Sequence, residues 1–425
     1  MVYLLFALVF VFFLLNVPVF IAVGLPTVIV SFLNGDNLLT LTQTMFSSLN
    51  SFTLMAIPFF ILAGKLMEHG GISAKLVEFA NSLVGHVRGG LAYVMIIACM
   101  IFAAISGSQF GTIVAIGGVM LPAMIKAGYD RHFSAAILAA AGIVGVIIPP
   151  SVPFVLYAVT ANVSVGKIFL AGVIPGIIIG LSLILWAYYV CRKHGYGAPS
   201  PRKSIREIWE SFKDAVWALI MPIIILGGIY GGIFTPTEAS VVAVVYGFFA
   251  GVFIYRVINF AVLKKILYST VITTSTLSVI IATATYFGMW LTRAQVPQAI
   301  INSFAEANLP PIVAMLLINL FLLFLGTFME SAAAQIITTP ILVPIITNLG
   351  YDPVQFGVIM VTNLALGAYT PPLGIGLVLA AQIAQTKFEK LIKPALPLIF
   401  IIVIDIVLFI IFPHLSSGFA DLLLD

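Results

Sequence analysis

The sequence predicts an all-α, polytopic membrane protein, and three observations support this fold class. Of the 425 residues, 62% are hydrophobic and only 8% are charged, whereas soluble domains carry about 25% charged residues. Uncharged apolar runs long enough to span a bilayer recur along the whole chain. The short alternating segments that are typical of a membrane β-barrel do not occur in the sequence. A multi-pass helical protein is therefore expected.

Composition and motifs exclude several functional classes. The two cysteines, Cys99 and Cys191, lie in or beside hydrophobic runs, which indicates neither a disulfide framework nor a metal site. The five histidines show no ligand spacing, and no P-loop, GxSxG or HExxH pattern is present. We therefore expect no enzyme activity, no built-in ATPase and no nucleic-acid partner. Residues 1–33 lack a basic n-region and a cleavage site, which favours a membrane helix over a signal peptide.

An internal repeat divides the chain into two halves. The stretch LPAMIKAGYD at 121–130 resembles VPIITNLGYD at 343–352, at an offset of 222 residues. The same offset pairs Gly145 with Gly367, Pro149-Pro150 with Pro371-Pro372, and Pro175 with Pro397. The halves are predicted to be residues 1–191 and 214–425, joined by the polar segment 192–213.

Basic residues predict that equivalent loops of the two halves lie on opposite sides of the membrane. The segments that flank 90–125 carry Lys65, Lys75, Arg88, Lys126 and Arg131, whereas their counterparts in the second half carry only Arg293. The bias reverses elsewhere, since 31–50 has no Lys or Arg but 251–265 has three. Because Lys and Arg collect on the cytoplasmic side, this pattern predicts an inverted-topology repeat, as in many secondary transporters. The linker 192–213 would be cytoplasmic and both termini would lie on the other side.

Each half is predicted to contain three spans, a re-entrant hairpin, a broken span and a final span, with the helix count in residues 1–50 left open. Arg88 and Lys126 enclose 37 uncharged residues with Ser106-Gly107-Ser108 at the centre. Each flank falls short of the ~20 residues that a full crossing needs. A hairpin at about 90–127 therefore fits best, with a counterpart at about 312–348 that turns near GTFMES. Two tilted, short full spans are the alternative.

The proline pairs predict a broken helix in each half, at about 131–163 and 353–385. Proline has no N–H to donate and clashes with the carbonyl four residues earlier. The carbonyls of Gly145, Val146, Gly367 and Ala368 are therefore expected to be free, which is tolerated at membrane depth only beside a cavity or an ion. A simple kink or a loop end is the alternative for either proline pair.

Oxygen atoms at the hairpin tips and helix breaks suit a hard cation such as Na⁺, and half-helix N-termini suit a carboxylate. The predicted Na⁺ ligands are Ser106, Gly107, Ser108, Gly145, Pro149, Thr327, Glu330, Asn363, Gly367 and Thr370. The predicted substrate contacts are Ser106, Ser108, Ser151, Thr370 and Arg293.

Four isolated charges remain to be interpreted. Glu330 is either an intramembrane site residue or a cap of the second helix of its hairpin. Glu238, after TPT, is better explained as a helix-start acid than as a ligand. Arg293 is an interfacial anchor, or it contacts a carboxylate or a partner protein. Asp405 lies within the last span, where it would face a partner helix.

Five stretches resemble the large membrane subunit (M subunit) of tripartite ATP-independent periplasmic (TRAP) transporters. They are IPFFILAGKLM at 57–67, ISGSQFGT at 105–112, LPAMIKAGYD at 121–130, AAGIVGVIIPPSVPFVLYA at 140–158 and YTPPLGIGLVLAA at 369–381. The resemblance implies an elevator-type Na⁺ symporter of the ion-transporter superfamily, with a scaffold and a transport domain, in the bacterial inner membrane. It also implies a small four-helix membrane subunit and a periplasmic substrate-binding protein as partners. Because the chain begins directly with the first helix of the large subunit, the small subunit is expected to be a separate polypeptide.

Three functions follow from this resemblance and from the repeat. The first is Na⁺-coupled uptake of a carboxylated solute delivered by a binding protein. The family transports C4-dicarboxylates and sialic acids, and sialic acid is slightly preferred here. The second is a stand-alone Na⁺/dicarboxylate symporter that needs no binding protein. The third is a passive channel or scaffold subunit, which would not need two reciprocal breaks.

Overall fold

The structure is a computed structural model that describes residues 1–15, 17–197 and 201–424. Twenty α-helices and no strand occur in these residues. The first ten are α1 (Val2–Leu14), α2 (Val19–Leu33), α3 (Leu39–Leu49), α4 (Ala56–His69), α5 (Ile72–Val84), α6 (Gly90–Ser106), α7 (Gln109–Lys126), α8 (Arg131–Ile143), α9 (Val152–Ala161) and α10 (Val165–His194).

The second ten helices complete the chain. They are α11 (Ile205–Tyr230), α12 (Pro236–Phe249), α13 (Phe260–Arg293), α14 (Val296–Glu306), α15 (Pro311–Phe328), α16 (Ser331–Asn348), α17 (Pro353–Gly367), α18 (Ile375–Ile383), α19 (Glu389–Ile411) and α20 (Gly418–Leu424). The all-α, polytopic class predicted from composition is confirmed.

Eight of the described helices are long and apolar enough to cross a membrane, and a ninth span results if the bent pair α3–α4 is counted as one. The eight are α7, α10, α11, α12 with the π-helical turn that follows it, α13, α15, α16 and α19. The first 50 residues, whose helix count the sequence left open, contain α1, α2 and α3.

Helix boundaries follow the 222-residue offset. A shift by that offset maps α7 onto α16 residue for residue, and it maps the start of α8 onto the start of α17. In both halves a two-residue turn joins a pair of helices into a hairpin: Gly107-Ser108 joins α6 to α7, and Met329-Glu330 joins α15 to α16. The opposite membrane orientation of the halves stays a prediction.

The polar segment 192–213, predicted as a linker, is helical at both ends. Helix α10 continues to His194, where Gly195 ends it in the left-handed conformation with φ of 72°. Helix α11 begins at Ile205 with a capping box, in which the Ser204 hydroxyl and the Glu207 side chain each accept a backbone N–H of the other residue. Only residues 195–204 lie between the two helices.

Hydrogen bonds hold the hairpins and broken helices of the two halves together. Gln109 Nε2 of α7 donates to the carbonyl of Ala365 in α17 at 3.2 Å. In the other direction, Gln335 Nε2 of α16 donates to the carbonyl of Pro153 in α9 at 2.7 Å. Tyr369 adds a third bond, from its hydroxyl to the carbonyl of Ala136 at 3.2 Å. Because buried polar groups require partners, these bonds fix the register between the halves.

Candidate functional site

A cavity of about 500 Å³ is lined by both hairpin tips. One wall comes from Ser106–Phe110 at the first tip, from Glu330–Ala332 at the second tip, and from the start of α9. The remaining lining residues come mainly from α4 and from residues 272–280 of α13. The two tips lie more than 200 residues apart in sequence, so the fold of both halves is required to form this cavity.

The first tip is a compact turn built on serine and threonine hydroxyls. Gly107 adopts the left-handed conformation with φ of 58°, which favours glycine. Ser108 caps α7, because its Oγ accepts the N–H of Gly111 at 3.2 Å. The Thr112 hydroxyl donates to the carbonyl of Ser108 at 2.8 Å and lies 3.1 Å from Ser106 Oγ. Several oxygen atoms thus converge beside the cavity.

The second tip places a carboxylate where the first tip has a hydroxyl. Glu330 is the offset partner of Ser108, and it caps α16 by accepting the N–H groups of Ala332 at 3.1 Å and Ala333 at 3.0 Å. Its side chain also lines the cavity. Both interpretations of Glu330, as a cap and as a site residue, therefore agree with its position.

Glycines let each tip approach the helix break of its own half. A Cβ on Gly145 would lie 2.7 Å from the carbonyl oxygen of Ser108. A Cβ on Gly367 would lie 2.5 Å from the Cα of Gly326, in the second hairpin. The predicted ligand segments at Gly145 and Gly367 thus pack directly on the hairpins.

The helix breaks occur at the proline pairs, but the carbonyls of Val146, Gly367 and Ala368, which were predicted to be free, accept hydrogen bonds. After α8 a 3₁₀ turn covers Val144–Val146, and the carbonyl of Val146 accepts the hydroxyl of Ser151 at 2.6 Å. The carbonyl of Gly367 accepts the N–H of Thr370 at 2.9 Å, and that of Ala368 accepts the N–H of Gly376 at 3.0 Å. Local turns satisfy these groups, and each oxygen keeps one further lone pair for a ligand.

The structure separates the predicted site residues into two groups. Ser106, Gly107, Ser108 and Glu330 line the cavity. Seven others lie in the broken helices and hairpins but do not line the cavity. These are Gly145, Pro149, Ser151, Thr327, Asn363, Gly367 and Thr370. Arg293 is the exception, since it is exposed in the last turn of α13, about 20 Å along the helix from the part that lines the cavity. The structure therefore does not bring Arg293 to the tips.

Two charged residues of the cavity wall, Lys65 and Glu68, were not predicted as site residues. Lys65 was assigned to a loop, but it lies inside α4, where its ammonium donates to Ser269 Oγ at 2.5 Å and to Thr273 Oγ1 at 3.1 Å. Glu68 lies one turn later on the same helix. The sequence did contain a signal for these two residues, since two charges lie within one apolar helix. A charged residue inside a membrane helix is a candidate functional residue.

An amide pair lies behind the second tip. Asn363 Nδ2 of α17 donates to the backbone and side-chain oxygens of Asn319 in α15, at 2.8 and 2.7 Å. Asn363 Oδ1 is buried and has no hydrogen-bond partner within the described residues. A buried, unpaired oxygen of this kind is suited to a cation. Asn319 was not predicted, since nothing near it in the sequence marks it.

Two other charges have the surroundings expected of structural groups. Glu238 forms a capping box with Thr235 at the start of α12, as the helix-start interpretation requires. Asp405 is buried in α19 and accepts the hydroxyl of Ser182 in α10 at 3.0 Å, so it does face a partner helix. No group of three or more His, Cys, Asp or Glu residues in the described ranges could hold a metal ion.

The family model for the DctM component of tripartite ATP-independent periplasmic transporters matches residues 6–415. The chain belongs to this family. The resemblance inferred from the five motifs is thereby confirmed, and the protein is a TRAP transporter subunit, multi-pass in the membrane of a bacterium.

Relatives with different stated substrates are similarly close to this TRAP subunit. The chain is 42% identical to the isethionate TRAP transporter permease protein DctMQ of Oleidesulfovibrio alaskensis, over 96% of the chain and 65% of that protein. It is 41% identical to the C4-dicarboxylate large permease DctM of Pseudomonas aeruginosa, over 91% and 90% of the two chains. It is 40% identical to the sialic acid large permease SiaM of Vibrio cholerae, over 90% and 89%. These relatives are transport permeases rather than enzymes.

A solved transporter shares the fold. The crystal structure of the YdaH transporter of Alcanivorax borkumensis superposes with a TM-score of 0.63, over 87% of this chain and 86% of that one, at 16% sequence identity. At this identity the likeness supports the fold of the TRAP subunit and not its substrate.

Proposed function

We propose that this TRAP subunit catalyses Na⁺-coupled uptake of a carboxylated organic solute, of the sialic acid or C4-dicarboxylate type. A periplasmic binding protein would deliver the solute, and a small four-helix membrane subunit would complete the permease. The observation that carries the proposal is the shared cavity, since both hairpin tips and α9 line one space of about 500 Å³. Small-molecule sites are commonly of this size.

The charges of the cavity suit a carboxylate that travels with cations. Lys65 is the one basic residue among the described lining residues, and Glu68 and Glu330 are acidic. A substrate carboxylate would pair with the Lys65 ammonium, which Ser269 and Thr273 already orient. Na⁺ ions at the tips would offset the negative charge of the glutamates and of the substrate.

Two ion positions are proposed, one in each half. The first would use the oxygens of Ser106, Ser108 and the Gly145 segment. The second would use Glu330, Thr327, Asn363 and the Gly367 segment. The unpaired Asn363 Oδ1 supports the second position. Because each position joins a hairpin to a helix break, ion binding would close the tip over the substrate.

The proposed movement is of the elevator type. The hydrogen bonds from Gln109, Gln335 and Tyr369 join the hairpins and breaks of both halves into one unit. Helices α4 and α13, which are not part of this unit, also line the cavity. We propose that the unit moves as a transport domain against a scaffold that contains those two helices, which would expose the cavity to each side in turn.

Reconstitution tests the proposed function. The chain would be placed in proteoliposomes with the small subunit and binding protein of its own operon, and uptake of labelled sialic acid, succinate and isethionate would be measured. We expect concentrative uptake of a carboxylate only when an inward Na⁺ gradient and all partners are present. Uptake by the chain alone would identify a stand-alone symporter, and uptake with only a proton gradient would contradict Na⁺ coupling. Uptake of the sulfonate alone would contradict the carboxylate class.

A further inference from the structure

Two further cavities lie at the C-terminal end of α10, away from the transport cavity. The first, of about 340 Å³, is lined by Arg88, Tyr93, Tyr188 and Arg192. The second, also about 340 Å³, shares Tyr188 and Arg192 with it and adds Tyr189 and Lys193. No acidic residue lines either cavity among the described residues. We call these two cavities together the basic pocket.

Several polar groups of the basic pocket have no partner among the described residues. Arg88 has no hydrogen bond or ion pair within the described residues, and its guanidinium lies beside Gly195, which ends α10. Tyr93 is only 7% exposed, yet its hydroxyl has no partner in the described part of the chain. Arg192 donates one N–H to the Tyr188 hydroxyl at 2.8 Å, which leaves its other N–H groups for a ligand. A cavity lined by an unpaired buried hydroxyl and two arginines is suited to an anion with several oxygen atoms.

An apolar stripe on α10 leads directly into the basic pocket. Ile177, Leu181, Leu185 and Tyr188 are 42%, 52%, 69% and 51% exposed, respectively. Their spacing of four, four and three residues places them on one helix face, and Arg192 follows four residues later on the same face. An acyl chain that lies along this stripe would bring its headgroup to the arginines. Free inorganic phosphate would have no use for the stripe.

The surroundings are those of a lipid headgroup site. Tyrosine and arginine at the end of a membrane helix present an apolar body to the lipid and a polar tip to the headgroups. The basic residues predict that this end is cytoplasmic, and basic pockets on that side bind anionic headgroups. Lys193 lies over the ring of Tyr189 at 5.8 Å and adds a further cation at the edge of the pocket.

We propose that the basic pocket binds the phosphate headgroup of an anionic phospholipid, with one acyl chain along the exposed stripe of α10. Arg88 and Arg192 hold the phosphate, and the Tyr93 hydroxyl donates a hydrogen bond to it. This site is separate from the transport cavity and does not depend on the transported solute.

Native mass spectrometry of the purified full chain, titrated with phosphatidylglycerol, tests this proposal. The double variant Arg88→Gln, Arg192→Gln should bind phosphatidylglycerol about 25-fold more weakly, since each arginine near a headgroup contributes about fivefold. Tyr93→Phe should also weaken binding, and it should leave the melting temperature unchanged because its hydroxyl has no internal partner. Lys264→Gln, Lys265→Gln removes two exposed charges elsewhere and should leave the affinity unchanged.

Several results would overturn the proposal. Equal affinity of wild type and the arginine double variant would remove the basic pocket as the site. Equal binding of phosphatidylcholine would show that the negative charge is not recognised. Competition by inorganic phosphate at the affinity of phosphatidylglycerol would identify a free-anion site instead of a lipid site. If the small subunit binds the chain only when both arginines are present, and phosphatidylglycerol affinity does not change, the pocket is a protein contact.

Discussion

Glu330 has two roles that substitutions can separate, because its carboxylate caps α16 and also faces the cavity. In Glu330→Gln the side-chain oxygen can still accept the N–H of Ala332 or Ala333, but the negative charge is lost. We expect the Na⁺ concentration for half-maximal uptake to rise about tenfold, which corresponds to about 1.4 kcal/mol, while thermal stability changes little. Na⁺ titration of uptake and a melting curve measure the two effects.

Asp352→Asn is the matched control for Glu330→Gln. Asp352 caps α17 with the same two-acceptor geometry, to the N–H groups of Val354 and Gln355, and it does not line the cavity. Asp352→Asn should leave the Na⁺ dependence of uptake unchanged. If the two variants behave alike in the Na⁺ titration, Glu330 is a cap only.

Lys65 is predicted to bind the substrate rather than the ion. The substitution Lys65→Gln removes a charged hydrogen-bond donor. A hydrogen bond to a charged group contributes ~1.5 kcal/mol, so KM for the solute should rise about tenfold. The Na⁺ concentration for half-maximal uptake should stay close to wild type. Measuring uptake against solute concentration at saturating Na⁺ tests this.

Lys75→Gln is the control for charge removal outside the cavity. The Lys75 side chain is 39% exposed and forms a surface ion pair with Asp214 at 2.6 Å, and such pairs contribute little. Its uptake kinetics should match wild type. An unchanged KM in Lys65→Gln would remove Lys65 from the substrate site.

Single residues also show what the sequence could and could not predict. Ser106, Ser108 and Glu330 were predictable because they lie in the uncharged stretches at recognisable turns. The contacts of Lys65 and Asn319 were not, because they depend on which distant helix each side chain meets: Lys65 meets Ser269 across about 200 residues of chain, and Asn319 meets Asn363 in the next-but-one helix. Tertiary contacts of this kind leave no local pattern.

At the scale of elements, the contact between each hairpin and its helix break depends on glycine. In Gly367→Ala the new Cβ would clash with the backbone of Gly326, so the second hairpin must move. We expect a loss of about 1–3 kcal/mol in stability and a weaker Na⁺ response in uptake. Thermal unfolding and Na⁺ titration are the measurements.

Gly118→Ala is the comparison for this clash, since Gly118 lies in α7 and a Cβ there meets nothing within 4 Å. It should be neutral or slightly stabilising, because alanine favours a helix over glycine. Equal effects of the two variants would contradict close packing at Gly367 as the cause.

The repeat predicted which elements correspond but not how each one bends. Residues 39–69 form α3, a 3₁₀ turn and α4, with a 61° bend between the helical parts. The residues 222 positions later, 261–291, lie within the single helix α13. The first half has Asn50 and Ser51 at the bend, and Asn50 is non-helical with ψ of 63°. The second half has Ile272 and Thr273 there, which continue the helix. The offset alone does not reveal this difference.

At the scale of the whole molecule, the fold class followed from composition and the site did not. Long apolar runs require helices in a membrane, and the proline pairs indicated where two of them break. The cavity exists only because bonds such as those from Gln109 and Gln335 hold the two halves in register. The sequence shows that the halves are related, but the packing between them comes from the structure.

Na⁺-dependent thermal unfolding of the purified chain tests whether the hairpin tips bind Na⁺. A ligand that binds only the folded state stabilises it by about 2.7 kcal/mol at 100 times its Kd. We predict that replacing K⁺ by Na⁺ raises the melting temperature of wild type, and that Ser108→Ala reduces this rise. Ser164→Ala, which removes a comparable helix cap at a residue that does not line the cavity, should keep this rise. Identical melting temperatures in Na⁺ and K⁺, or a full Na⁺-dependent rise in the melting temperature of Ser108→Ala, would contradict Na⁺ binding at the hairpin tips.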